Sequence, residues 1–107
     1  MPEGVSILGS KKNGMEVFIE DGVAKMPDRS CFAGSVATAD RLVRNMITLA
    51  DVPITDAVKM MTATPAKIIG ATNKGELAPG KDADIVIFDE NINVSTTIVK
   101  GRTVFSE

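Results

Sequence analysis

Ala83-Asp84-Ile85-Val86-Ile87-Phe88-Asp89 sets four consecutive large apolar residues, three of them β-branched, between aspartates. That length and chemistry predict a strand, and the unbroken apolar run predicts burial on both faces. Upstream, Gly75 and Pro79-Gly80 punctuate a turn-rich passage. Downstream, Val94 to Val99 reads as a second strand, Lys100-Gly101 as a turn and Arg102 to Phe105 as the returning strand. The C-terminal third is therefore expected as a β-meander.

Before that meander the apolar spacing changes from two to between three and four. Ala39, Leu42, Val43, Met46, Ile47 and Ala50 form one stripe of a helix, with Ser35 or Thr38 as its N-cap. Pro53 breaks the run, and a short helix follows from about Ile54 to Thr62 with Ala57, Val58 and Met61 inward. Thr64-Pro65 reads as a cap with proline at the first helical position, opening a third helix that Gly70 stops. Nearer the N-terminus, residues up to about Gly14 read as loop. Met15 to Ile19 alternates as a strand with Val17 and Ile19 on one face. Asp21-Gly22 is a tight-turn signal, and Val23 to Met26 returns the chain. The order is hairpin, helices, meander.

A chain of 107 residues fits one small domain or part of a larger one. Its 44% hydrophobic and 24% charged content is that of a folded protein, and a net charge of −2 offers no basic footprint for nucleic acid. The apolar runs are too short to span a bilayer, and the first residues lack the regions of a signal peptide. The lone Cys31 suits a reducing cytoplasm, so the expected location is cytoplasmic, with no membrane and no nucleic-acid partner. With no histidine, Ser-His-Asp and Cys-His catalysis are excluded within the chain, and the usual nitrogen and sulfur ligands of a transition metal are missing. A strand buried on both faces needs covering layers that so short a chain hardly provides, which implies a longer chain or a tight oligomer, here a homo-oligomer such as a dimer.

Candidate functional residues centre on Arg29-Ser30-Cys31-Phe32-Ala33-Gly34-Ser35, which leads towards the first helix. A Gly-Ser pair at a helix mouth offers free N–H groups to sugar hydroxyls or phosphates, although it is also an ordinary way to begin a helix. Asp82 and Asp84 form a possible carboxylate pair, but read better as a turn residue and a strand-entry cap. Arg41 and Arg44, three apart on the helix, could meet a phosphate, but read better as a solvated face pairing with Asp40 or Asp51. Met46, Met60 and Met61 read as core filler, and Lys11-Lys12 as a solvated loop.

Gly75-Glu76-Leu77-Ala78-Pro79-Gly80-Lys81-Asp82-Ala83-Asp84-Ile85-Val86-Ile87-Phe88-Asp89, followed by Thr97-Ile98-Val99-Lys100-Gly101, resembles the tail of the amidohydrolase superfamily. Met1-Pro2-Glu3-Gly4, Ile7-Leu8-Gly9, Phe32-Ala33-Gly34-Ser35, Val43-Arg44-Asn45 and Thr64-Pro65-Ala66-Lys67-Ile68-Ile69-Gly70 resemble, in order, the N-acetylglucosamine-6-phosphate deacetylases. The resemblance implies an α/β chain in which residues 1–72 finish a metal-dependent TIM-like barrel and residues 73–107 supply strands of a small β-sandwich. It implies an enzyme that hydrolyses N-acetylglucosamine 6-phosphate to glucosamine 6-phosphate and acetate. A divalent metal, zinc or iron, would activate water, and an Asp would act as general base and acid. In the family that Asp and the Glu and His metal ligands lie upstream of the segment that matches Met1 and match no position here, so this segment alone is expected to hold no metal and to be inactive. Phe32, Ala33, Gly34 and Ser35 match the element that touches the sugar phosphate, with Phe32 where the family usually has Leu. The alternative is a stand-alone module that binds anions or pairs through exposed strands. Val94 to Val99, without an interior Lys or Pro to guard an edge, favours the segment.

Overall fold

The computed structural model describes residues 3–107, so Met1 and Pro2, part of one family motif, lie outside the described residues. The chain divides into two compact units, Met1–Thr38 and Ala39–Glu107.

The first unit is an antiparallel sheet of β1 (Gly4–Leu8), β2 (Met15–Glu20), β3 (Val23–Lys25) and β4 (Phe32–Gly34), in that spatial order. The alternation of β2 acts as expected: Val17 and Ile19 are buried, and with Ala24 they form a core against which Ala33 and Val36 pack. Asp21 and Gly22 have φ of 54° and 75°, the doubly left-handed turn whose twist suits a hairpin. The structure departs from expectation at β1, which is a strand rather than loop, in register from Gly4 opposite Ile19 to Leu8 opposite Met15. Its Val5 and Ile7 alternate, but both lie on the exposed side, so the inward half of the strand signal is missing.

The second unit contains α1 (Ala39–Thr48), α2 (Ile54–Met61), α3 (Ala63–Ile68) and an antiparallel sheet of β5 (Ile85–Phe88), β6 (Val94–Val99) and β7 (Arg102–Ser106), ordered β5-β6-β7. Val43, Ala57 and Ile92 form its buried core, with Met46, Ile47, Val52, Val58 and Phe88 around them. Pro53 stands at the N-cap of α2, and its carbonyl accepts from Ala57 N at 2.9 Å. Helix α3 begins two residues earlier than its Thr64-Pro65 signal, with Thr62 rather than Thr64 at the N-cap. Pro65 therefore sits third in the helix, where its missing N–H is still harmless. Gly70 ends it as expected: at φ 73° it donates to Lys67 O at 3.2 Å, while Ala71 N donates to Ala66 O at 2.8 Å.

Four expectations fail here. Of the α1 stripe, Leu42 is exposed and Ala50 lies beyond the end of the helix. Met60 and Met61 are exposed rather than filling the core. Strand β5 is not covered on both faces, since Val86 and Ile87 are 49% and 50% exposed. Finally, β6 is the central strand, paired on both sides, so its lack of guard residues says nothing about an edge. The open edges of this sheet are β5 and β7.

Candidate functional site

The four sequence-predicted site residues stay together, but not at a helix mouth. Phe32, Ala33 and Gly34 are β4 itself, and residues 35–38 intervene before α1 begins at Ala39. The Ser35 hydroxyl accepts a hydrogen bond from Ala37 N at 3.1 Å, so it closes a local turn instead of capping α1. These residues therefore lie on an edge strand and not at the positive end of a helix dipole. Strand β4 is the last in its sheet, and the outer side of an edge strand carries backbone groups without a strand partner. Phe32 and Gly34 are exposed, while Ala33 turns inward onto the core. A Cβ placed on Gly34 would meet nothing within 4 Å, and its φ is not left-handed. Among the described residues nothing therefore excludes a side chain there.

The hairpin loop before β4 is tied to the neighbouring strands by polar contacts. Glu20 Oε1 accepts from Arg29 Nε at 2.8 Å and from Lys25 Nζ at 3.1 Å. The Arg29 hydrogen bond, reinforced by Lys25, holds the Glu20 carboxyl below its usual value. The Arg29 guanidinium lies 4.4 Å from the centre of the Phe18 ring. Asp28 Oδ1 accepts from Ser30 N at 3.0 Å, and Ser30 lowers the Asp28 pKa. Cys31 is exposed, with Ser30 Oγ 3.9 Å from its sulfur.

In the second unit the polar candidates resolve into structural ties. Lys74 Nζ bridges Asp82 Oδ2 at 2.9 Å and Asp84 Oδ2 at 2.5 Å, while Asp84 Oδ1 accepts from Lys100 N at 2.9 Å. The two carboxylates thus share a cation, and Asp84 also anchors the β6–β7 turn. The pKa of Lys74 is raised by Asp84 first and Asp82 second, and that of Asp84 is lowered by Lys74 and then by Lys100 N–H. Arg44 is more than a solvated residue beside Asp40. Its Nε donates to Asn91 O and its Nη2 to Ile92 O, each at 2.9 Å, besides the 3.7 Å contact with Asp40. Sequence reasoning missed this tie because its acceptors are backbone carbonyls 47 and 48 residues away.

A divalent metal finds no holder among these groups. The chain has no histidine, and no cluster of three His, Cys, Asp or Glu that could hold an ion occurs among the described residues. No described helix is long and apolar enough to cross a membrane.

Comparison with known proteins agrees with the motif order. The chain is 38% identical over 102 residues to an N-acetylglucosamine-6-phosphate deacetylase of Lysinibacillus sphaericus, covering 95% of this chain and 25% of that one. It is 33% identical over 103 residues to an N-acetylgalactosamine-6-phosphate deacetylase of Escherichia coli, covering 95% of this chain and 26% of the other. Among solved structures, that of N-acetylglucosamine-6-phosphate deacetylase from Thermotoga maritima matches 100% of this chain and 28% of its own, at 30% identity and a TM-score of 0.83. The chain thus spans about a quarter of the length of these relatives. The amidohydrolase family matches residues 3–104, and the chain belongs to that family.

Proposed function

We propose that the chain is the C-terminal segment of an N-acetylglucosamine-6-phosphate deacetylase. The observation that carries this reading is the match in sequence order and in fold along the whole chain to an enzyme of that name. In this reading residues 1–72 finish the barrel and residues 73–107 supply sandwich strands. The reaction adds water across the acetamide: the C–N bond breaks, a C–O bond forms, and the products are glucosamine 6-phosphate and acetate. The metal is held by residues outside this chain, which contributes binding rather than bond-making.

That contribution is the edge strand of Phe32, Ala33 and Gly34 with the adjoining Ser35. Its exposed backbone groups suit the oxygens of a sugar phosphate, and the open space at Gly34 lets a ligand approach the main chain closely. A free-standing anion-binding module is not favoured, because the helix mouth that would bind the anion is absent at Gly34 and Ser35.

The test is acetate release from N-acetylglucosamine 6-phosphate, run against its galactosamine epimer, with added zinc. The longer protein carrying this segment is expected to release acetate and to prefer the glucosamine substrate, whereas the 107-residue chain releases none. Release by the short chain would overturn the assignment of the chemistry to residues outside it. Preference for the epimer would move the substrate to the galactosamine series.

A further inference from the structure

We infer that Arg29 is a positioning residue: bound to Glu20 and stacked on Phe18, it fixes the loop that sets β4 against the substrate. The substrate role rests on the function proposed above.

Strand β4 has little else to hold it. Its pairing with β3 consists of Ala24 opposite Gly34 and Lys25 opposite Phe32, with an irregularity between them. Phe32 is 74% exposed, so among these three residues only Ala33 is packed against the sheet core. The orientation of the strand is therefore set where the loop delivers it. Residues 26–31 form that loop, closed by Met26 N donating to Cys31 O at 3.0 Å and Arg29 N donating to Met26 O at 2.8 Å.

Arg29 occupies this loop at φ 59°, in the left-handed region that glycine enters freely and arginine does not. If only a turn were required, glycine would be the unstrained choice. What arginine adds is its side chain. The guanidinium reaches past β3 to Glu20 and Phe18 on β2, and Lys25 on β3 shares the same Glu20 oxygen. One carboxylate therefore joins two neighbouring strands to the loop that starts the third. Arg29 does not have to touch the substrate for this; it acts through the backbone of residues 31–34.

The competing explanation is a turn lock that matters only for folding, and Arg29→Gly separates the two. The variant removes the backbone strain together with the tether. In the longer protein it is expected to raise KM for N-acetylglucosamine 6-phosphate about tenfold while kcat changes less, the pattern of lost binding shared by ground and transition states. Arg29→Lys, which keeps the charge but not the planar stack, should recover part of the loss. In the 107-residue chain, amide hydrogen exchange at Ala33 and Gly34 should quicken about tenfold while Val17 and Ile19 stay protected, as local opening of an edge strand requires. Acetate release with an unchanged KM for Arg29→Gly overturns the inference, as does unchanged exchange at β4. If the unmodified longer protein releases no acetate, the proposed function fails and the substrate role fails with it; quickened exchange would then leave only a structural tether.

Discussion

The loop before β4 and the turn between β5 and β6 each place a non-glycine residue at φ 59°, Arg29 in the first and Ile92 in the second, and hold it by opposite means. Ile92 is 5% exposed and packs with Val43 and Ala57 in the core of its unit. Such strain costs on the order of 1–3 kcal/mol. Burying an isoleucine returns about 1.5–3 kcal/mol, enough to offset it. Asp89 tightens the same turn, its Oδ1 accepting from Asn91 N and Asn93 N at 2.9 Å each. Arg29 has no such compensation, since its side chain is 51% exposed and its ties are one ion pair and one ring. Packing explains the strained residue in one unit. In the other it does not, and the polar ties to Glu20 and Phe18 are what hold the residue.

The largest effect that distinguishes the two turns is expected from Ile92→Ala. Alanine keeps the Cβ, and hence the strain, while discarding most of the burial, so a loss of about 2–4 kcal/mol is expected in urea denaturation. A loss below about 1 kcal/mol, the size of an ordinary exposed substitution, would mean that packing does not hold this turn. Arg44→Ala comes next. It removes the charged donor from the carbonyls of Asn91 and Ile92 and should cost about 1–2 kcal/mol. Lysine at that position should restore little, because a single ammonium cannot reproduce the fork.

These two turns also mark the limit of what the sequence discloses. The Asp21-Gly22 hairpin, α2 and the end of α3 were legible because each is encoded within a few residues by proline, glycine or periodic apolar side chains. Phe32, Ala33, Gly34 and Ser35 stand out as a group only because they are adjacent in the chain. Their setting was not legible. A Gly-Ser pair before an amphipathic run looks the same whether the helix starts at once or after residues 35–38. Ile92 gave no signal, because an apolar residue flanked by two asparagines reads as loop unless Val43 and Ala57 are known to meet it. Arg44 was hidden for the same reason, its partners being carbonyls that any sequence supplies. The apolar run of β5 shows the converse error: the sequence records what the strand can bury, and Val86 and Ile87 remain half exposed because that cover is not made by this chain's described residues.

Acid separates the turns by their carboxylates. The Glu20 pKa is lowered by Arg29 and Lys25, and that of Asp89 by the Asn93 backbone N–H, then the Asn93 side chain and the Asn91 N–H. A carboxyl whose folded pKa lies below its unfolded value contributes stability above the unfolded value. That contribution disappears as pH falls through the folded one. Both turns should therefore weaken on acidification from about pH 5 downward. Glu20→Gln should reduce the acid response of amide exchange around β4 to the part that Asp28 carries through Ser30 and leave that of residues 91–93 intact, whereas Asp89→Asn should act on residues 91–93 alone. A shared response to either variant would mean that the two units open together.

The smallest expected effect is the most discriminating. Arg29→Gly relieves a left-handed arginine and at the same time gives up the Glu20 pair and the Phe18 stack. The gain and the loss have opposite signs and similar size, as they do for exposed ion pairs and for glycine placed at a left-handed position. The urea midpoint should therefore move little, within about 0.5 kcal/mol of the parent chain. Ile92→Gly relieves the same kind of backbone strain but empties a core position, so it should remain destabilising by well over 1 kcal/mol. If Arg29→Gly proves as damaging as Ile92→Gly, the two turns are alike and Arg29 is a folding element. If it is neutral to stability while β4 loosens, glycine would fold equally well at this position, and the tether serves the placement of β4 rather than the stability of the fold.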